Sequence, residues 1–172
     1  MVIRGDAKDS RFDLLPADGH ELVVFFERCR FDSVDFSGLD FRNFSAAGST
    51  FAGCDFSKAR FLQLGFGQPQ IQRDWNRPIK PGDPRYLQTV YEDCVFRQTR
   101  LDPDNTHFGN SRFVRCQFDR AWLRKLFTRT AEFIDCQFVG KVIECTFAGT
   151  IPDKETARRI GAWLTHPTLG VE

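Results

Sequence analysis

Between residues 26 and 66 phenylalanine falls on a five-residue grid, at Phe26, Phe31, Phe36, Phe41, Phe51, Phe56, Phe61 and Phe66, with Ala46 the one exception. The residue two before each grid position is small or apolar: Val24, Cys29, Val34, Leu39, Phe44, Ser49, Cys54, Ala59, Leu64. The other positions are mostly polar or charged, as at Asp35, Ser37, Asp40, Arg42, Asp55, Lys58 and Arg60. A period of five matches neither the 3.6 of an α-helix nor the 2 of a flat strand. Two inward residues in every five, with a turn at each step, describe a coil of four short sides and about 20 residues per turn. Residues one coil apart then stack at the ~4.8 Å spacing of neighbouring strands.

The rest of the chain tests that register. The grid resumes at Tyr91 and runs through Phe96, Leu101, Phe108, Phe113, Phe118, Leu123, Thr128, Phe133, Phe138, Ile143 and Phe147. With residues 67–88 looped out and two residues inserted between Leu101 and Phe108, one wall stacks Phe36, Phe56, Phe96, Phe118 and Phe138. The wall before it stacks Phe31, Phe51, Tyr91, Phe113 and Phe133, and the wall after it Phe41, Phe61, Leu101, Leu123 and Ile143. The fourth holds Phe26, Ala46, Phe66, Phe108, Thr128 and Phe147. Its two small members follow large companions, Phe44 and Leu126, so volume lost at one inward site returns at the next, as close packing demands.

The segments CDFSKARF, ARFLQLGF and RCQFDRAWL resemble the pentapeptide-repeat family, whose repeat centres on Leu or Phe. The resemblance covers residues 24–66 and 89–147. It implies an all-β fold, a right-handed quadrilateral β-helix. Here that means a solenoid of about five coils, a rod roughly 24 Å long. The chain divides into an N-terminal cap (1–23), a first repeat section (24–66), a Pro-rich excursion (67–88), a second repeat section (89–147) and a C-terminal helix and tail (150–172).

Solenoid ends expose unpaired strand edges and are capped in natural proteins. Residues 1–20, with Phe12, Leu14 and Leu15, are expected to cover the apolar run ELVVFF at the front. At the back, Pro152 and Asp153 open a helix through Leu164 that sets Ala157, Ile160, Trp163 and Leu164 on one side. That helix is read as a lid on the last coil or as a dimer contact, since C-terminal elements join rods end to end in some proteins of the resemblance.

Pro69, Pro78, Pro81 and Pro84 exclude the excursion from the coil, and long loops without secondary structure are often functional. Arg73, Trp75, Arg77 and Lys80 are its candidates for anchoring a partner, because Trp and Arg dominate interface energetics. The alternative is that Trp75, Ile71 and Ile79 pack on the rod.

Stacking the coils also sorts the surface charge. One corner gathers Asp32, Asp35, Asp55, Glu92, Asp93 and Asp135. The next gathers Lys58, Arg60, Arg100, Arg120, Arg124 and Lys125 around Trp122. Opposite stripes on adjacent corners form a steering surface for a charged partner, or simply a solvated face.

Catalytic and metal chemistry find no foothold. All six cysteines lie two residues before a grid position and point inward as small hydrophobes, with Cys54, Cys94, Cys116 and Cys136 in one column. No CxxC pair occurs, and His20, His107 and His166 are scattered, so no catalytic residue, metal or cofactor is expected. Lys141 stands at an inward position where the coil is irregular. Lys and Arg number 24 against 23 Asp and Glu, a net charge of +1 that argues against direct nucleic-acid binding. No run is apolar enough to span a membrane, and MVIRGDAKDSRFDLL has no signal-peptide character, so a cytoplasmic protein is expected.

The reading is a non-enzymatic interaction module that recognises a protein partner through its loop and charged corners. For some members the resemblance implies a second role, modulation of DNA gyrase by imitating DNA. That role requires acidic flanks and a long, usually dimeric rod.

Overall fold

The computed structural model describes residues 2–3, 5–10, 12, 22–67, 87–101, 106–124 and 131–145. They form an all-β solenoid of about five coils, and no helix occurs among them. The helix expected from Pro152 through Leu164, with Ile160, Trp163 and Leu164 on one side, lies outside the described residues, as does the rest of 150–172.

Every strand pairing is parallel, and most link residues one coil apart. The wall centred on Phe51 is the most regular, a six-stranded sheet. Along it Phe31, Phe51, Tyr91, Phe113 and Phe133 stack with ring centroids 5.0, 4.8, 4.8 and 5.0 Å apart. On the next wall Phe36, Phe56, Phe96, Phe118 and Phe138 stack at 4.8, 5.0, 4.8 and 4.9 Å, with planes within 6° of parallel. The ring spacing equals the rung spacing because in-register pairing places like on like. Across the lumen the columns meet edge to face, as Phe51 and Phe56 do at 5.7 Å and 62°. On the fourth wall the first small site matches its expected packing: Phe26 pairs with Ala46, and the buried Phe44 ring fills the space beside it, 5.4 Å from Phe26, while Leu126, Thr128 and Phe147 lie outside the described residues.

Corners are turned by residues with positive φ. One column runs Ser33, Gly53, Asp93, Arg115 and Asp135, and the next Gly38, Lys58, Gln98, Arg120 and Gly140. Most are not glycine, so each coil carries left-handed strain that the rungs on either side hold in place. At two turns a side chain assists: the carboxylates of Asp35 and Asp55 accept the backbone N–H of Ser37 and Ser57, each at 2.7 Å.

Three departures from a regular coil follow Phe66 among the described residues. Tyr91 pairs with Phe51, 40 positions earlier, so the excursion adds one coil's length of chain between Phe66 and Tyr91. Thr106 pairs with Leu64 while Leu101 pairs with Phe61, a gain of two residues, as the grid requires. The last step is a correction. Leu123 pairs with Val142, not Ile143, because the chain between Val139 and Val142 is one residue short of the regular step. The slip passes through Gly140 at φ 126°, whose missing side chain lets it approach the Arg120 backbone.

At the front, residues 2–3, 5–10 and 12 add a further parallel rung. Val2 and Ile3 pair with Phe25 and Phe26, Asp6–Lys8 pair with Arg30–Asp32, and the Phe12 ring lies 5.0 Å from Phe36. Leu14 and Leu15 lie outside the described residues.

The cysteine column forms as expected, and all six cysteines are thiols outside any disulfide. The thiols of Cys54, Cys94, Cys116 and Cys136 donate to the carbonyls of Phe31, Phe51, Tyr91 and Phe113 at 3.3 to 3.5 Å. Burial pushes the Cys94 thiol well above its ordinary pKa, which removes the reactive thiolate. A disulfide reagent such as dithionitrobenzoate is expected to spare Cys29, Cys54, Cys94 and Cys116 in native protein and to titrate all six thiols in denaturant. Rapid native reaction beyond Cys136 and Cys145, counted by absorbance, would show that the column is open to solvent.

Candidate interaction surface

The residues flanking each inward grid position face out, so the outer surface is laid down in columns by the same register. On the wall centred on Phe61, the outward residue before the centre reads Asp40, Arg60, Arg100 and Trp122 on successive rungs. The one-residue slip continues that column with Lys141, which it turns outward and exposes. Sequence reasoning had Lys141 inward, and only the position of the slip reveals its true side.

The adjoining corner column is Lys58, Gln98 and Arg120. Its backbone is fixed rung to rung, with Lys58, Gln98 and Arg120 donating N–H groups to the carbonyls of Arg97, Asp119 and Val139 at 2.7, 2.8 and 2.6 Å. The two columns bound a shallow groove of about 550 Å³ lined by Lys58, Arg60, Gln98, Thr99, Arg100, Arg120 and Trp122. Thr99 forms its floor and is locked there, its hydroxyl donating to the Phe56 carbonyl at 3.0 Å. Trp122 is 58% exposed, the most exposed large apolar side chain among the described residues. Of the expected basic corner, the structure thus brings together Lys58, Arg60, Arg100, Arg120 and Trp122 and adds Gln98 and Thr99. Arg124 is exposed one residue past the Leu123 centre, outside the groove lining, and Lys125 lies outside the described residues.

The charge in this groove is poorly compensated. Arg60 meets Asp40 at 3.5 Å, and Arg120 meets Asp119 at 3.5 Å, a carboxylate shared with Arg97 at 3.3 Å. Among the described residues no carboxylate pairs with Lys58 or Arg100. Stacking Arg60 directly on Arg100 is unfavourable in itself, since like charges opposite each other in a sheet repel.

The acidic corner, one wall away, is different. Arg115 holds Glu92 at 2.6 Å and Asp93 at 2.8 Å, and that guanidinium keeps the Asp93 carboxyl below its ordinary pKa. Asp32 is paired with Arg30 at 3.1 Å, and Asp35 and Asp55 serve turns. Asp135 is exposed at the corner. These pairings join residues a coil apart, or two apart in sequence, and were not anticipated from the columns alone.

The loop candidates Arg73, Trp75, Arg77 and Lys80 lie outside the described residues, but the loop's base is clear. The chain leaves at Gly67, whose carbonyl accepts the Asn110 N–H at 3.3 Å, and returns by Leu87, which packs over Gly48. Tyr91 donates its buried hydroxyl to the Phe66 carbonyl at 2.9 Å, which accounts for a tyrosine in a column of phenylalanines. Gly48 and Gly109 turn the corner between the fourth wall and the Phe51 wall. That corner is diagonally opposite the basic one, so loop base and groove face different directions.

Among the described residues no group of three His, Cys, Asp or Glu side chains could hold a metal ion, and no helix is long and apolar enough to cross a membrane. Comparison with curated proteins found no match. The family model for pentapeptide repeats, with 8 copies, matches residues 29–61. The same stacked walls continue past the matched segment on both sides, and the matched repeats together with this solenoid support a pentapeptide-repeat protein.

Proposed function

We propose that this protein is a non-enzymatic interaction module, a rigid rod whose basic corner recognises a protein partner. Proteins of this family are generally structural or interaction modules. The observation that carries the reading is the pair of cations, Lys58 and Arg100, that no carboxylate meets among the described residues, beside an exposed tryptophan on a backbone fixed by hydrogen bonds at every rung. Arg and Trp on a rigid support have the composition of an interface hot spot, and cations without partners favour association with an anionic surface. Gyrase modulation through the acidic corner is the second reading. Its support is the corner's carboxylate column, against which stand the Arg30 and Arg115 pairs that neutralise much of it.

A pull-down from the native host separates these readings. Wild type is expected to retain a protein that the double variant Lys58→Glu/Arg100→Glu loses and that a variant with 68–86 replaced by a short Gly-Ser linker keeps. Loss in the linker variant alone would assign recognition to the loop. Gyrase subunits retained by all three proteins would move it to the acidic corner.

A further inference from the structure

We infer that the basic groove takes an extended, carboxylate-rich peptide segment lying along the rod axis, with an aromatic or apolar side chain seated on Trp122. This deepens the interaction reading above and rests on it.

The axial direction follows from the placement of the cations. Arg60, Arg100 and Lys141 stand in one column and Lys58 and Arg120 in the next, spread over four successive rungs. Three rung intervals span about 14 Å, and an extended chain at about 3.3 Å per residue covers that in four or five residues. A ligand running around the coil would meet only one rung's cations. A ligand running along the axis meets them all. Trp122 interrupts the column between Arg100 and Lys141, so the segment has carboxylates at both ends and an apolar side chain between them. Gln98 and the Arg60–Asp40 pair leave the centre of the groove, around Arg100, with the strongest unmet positive charge.

A narrow chain is favoured over a nucleic-acid duplex by what flanks the groove. One wall away the corner carries Asp32, Asp35, Asp55, Glu92, Asp93 and Asp135. Arginines balance part of that charge, but it offers no surplus of cations. A duplex bears one charge per ~1.7 Å and is far wider than one wall, so it would lay phosphates against those carboxylates. A single peptide stays within the basic corner.

The test uses the full chain and a fluorescein-labelled peptide of sequence Glu-Asp-Phe-Glu-Asp, read by anisotropy. Wild type is expected to bind it, at least tenfold more weakly at 0.5 M salt than at 0.05 M, because exposed ion pairs are screened. Lys58→Glu/Arg100→Glu is expected to weaken binding at least tenfold. Trp122→Ala, which changes no charge, is expected to weaken it about fivefold, and a Gln-Asn-Phe-Gln-Asn peptide should not bind. Circular dichroism checks that the variants keep the wild-type fold, since all three side chains are exposed.

Absence of peptide binding, or equal binding by wild type and both variants, overturns the inference. Tighter binding of a ten-nucleotide oligothymidylate than of the peptide overturns it in favour of nucleic acid. A dimer in sedimentation that the double variant dissolves would place a second copy in the groove and also overturn it. If the peptide fails while the pull-down still loses its partner with the double variant, the interaction reading survives and only this ligand assignment falls.

Discussion

Phe56→Ala is expected to destabilise the protein by about 3–5 kcal/mol, enough to leave much of the chain unfolded at moderate temperature. Phe56 is 1% exposed and sits mid-stack, its ring 4.8 Å from Phe36 and 5.0 Å from Phe96. It also meets Phe51, Phe44, Tyr91 and Phe61 around the lumen. Removal of the ring opens a cavity that its neighbours cannot fill, because each is itself fixed in a column pinned to the backbone rungs. Urea unfolding followed by circular dichroism measures the effect. Phe138→Ala provides the internal scale: its ring is partly exposed, so its loss should cost clearly less. Equal costs at the two positions would mean that burial of the ring does not govern stability here.

Gly67→Ala is the second large effect, and its cause is backbone rather than core. A β-carbon on Gly67 would lie 2.5 Å from the Asn110 carbonyl oxygen and 2.6 Å from its carbon. Asn110 cannot retreat, since its N–H is donated to Gly67 and its carbonyl accepts the Thr89 N–H at 2.9 Å. The substitution therefore pushes apart the point where the excursion leaves the rod and the rung where it rejoins. A cost of about 1–3 kcal/mol is expected, as for overpacking in a rigid site. Gly38→Ala is the control. It has open space around it and only the strain of φ 69°, worth about 1–2 kcal/mol. Amide exchange distinguishes the two, with Thr89 and Asn110 losing protection in Gly67→Ala and not in Gly38→Ala.

The walls were legible in the sequence because one physical rule, a bulky apolar side chain at every fifth residue, is repeated often enough to survive two interruptions. Phe36, Phe56, Phe96, Phe118 and Phe138 could be stacked on paper before any coordinate was known. The rule was silent where side chains are small. Ala7 and Phe12 sit on the rung before Phe31 and Phe36, but alanine carries no signal, and residues 13–21 break the spacing. It also misplaced the slip near Lys141, since a single missing residue between Val139 and Val142 can be placed either side of Ile143 without offending any inward position. The basic column was legible as charge. Which of its members find a carboxylate was not, because ion pairs such as Arg60 with Asp40 or Arg115 with Asp93 depend on side-chain reach across rungs.

The excursion's length has a consequence for the rod as a ruler. Because the chain between Phe51 and Tyr91 exceeds a regular step by one whole turn, every inward residue after the excursion returns to its own wall. Four prolines keep that turn of chain out of the coil. Arg60 and Arg100 therefore sit on adjacent rungs, one strand spacing of about 4.8 Å apart instead of two. The length of the excursion sets the spacing of the cations along the corner without disturbing the core.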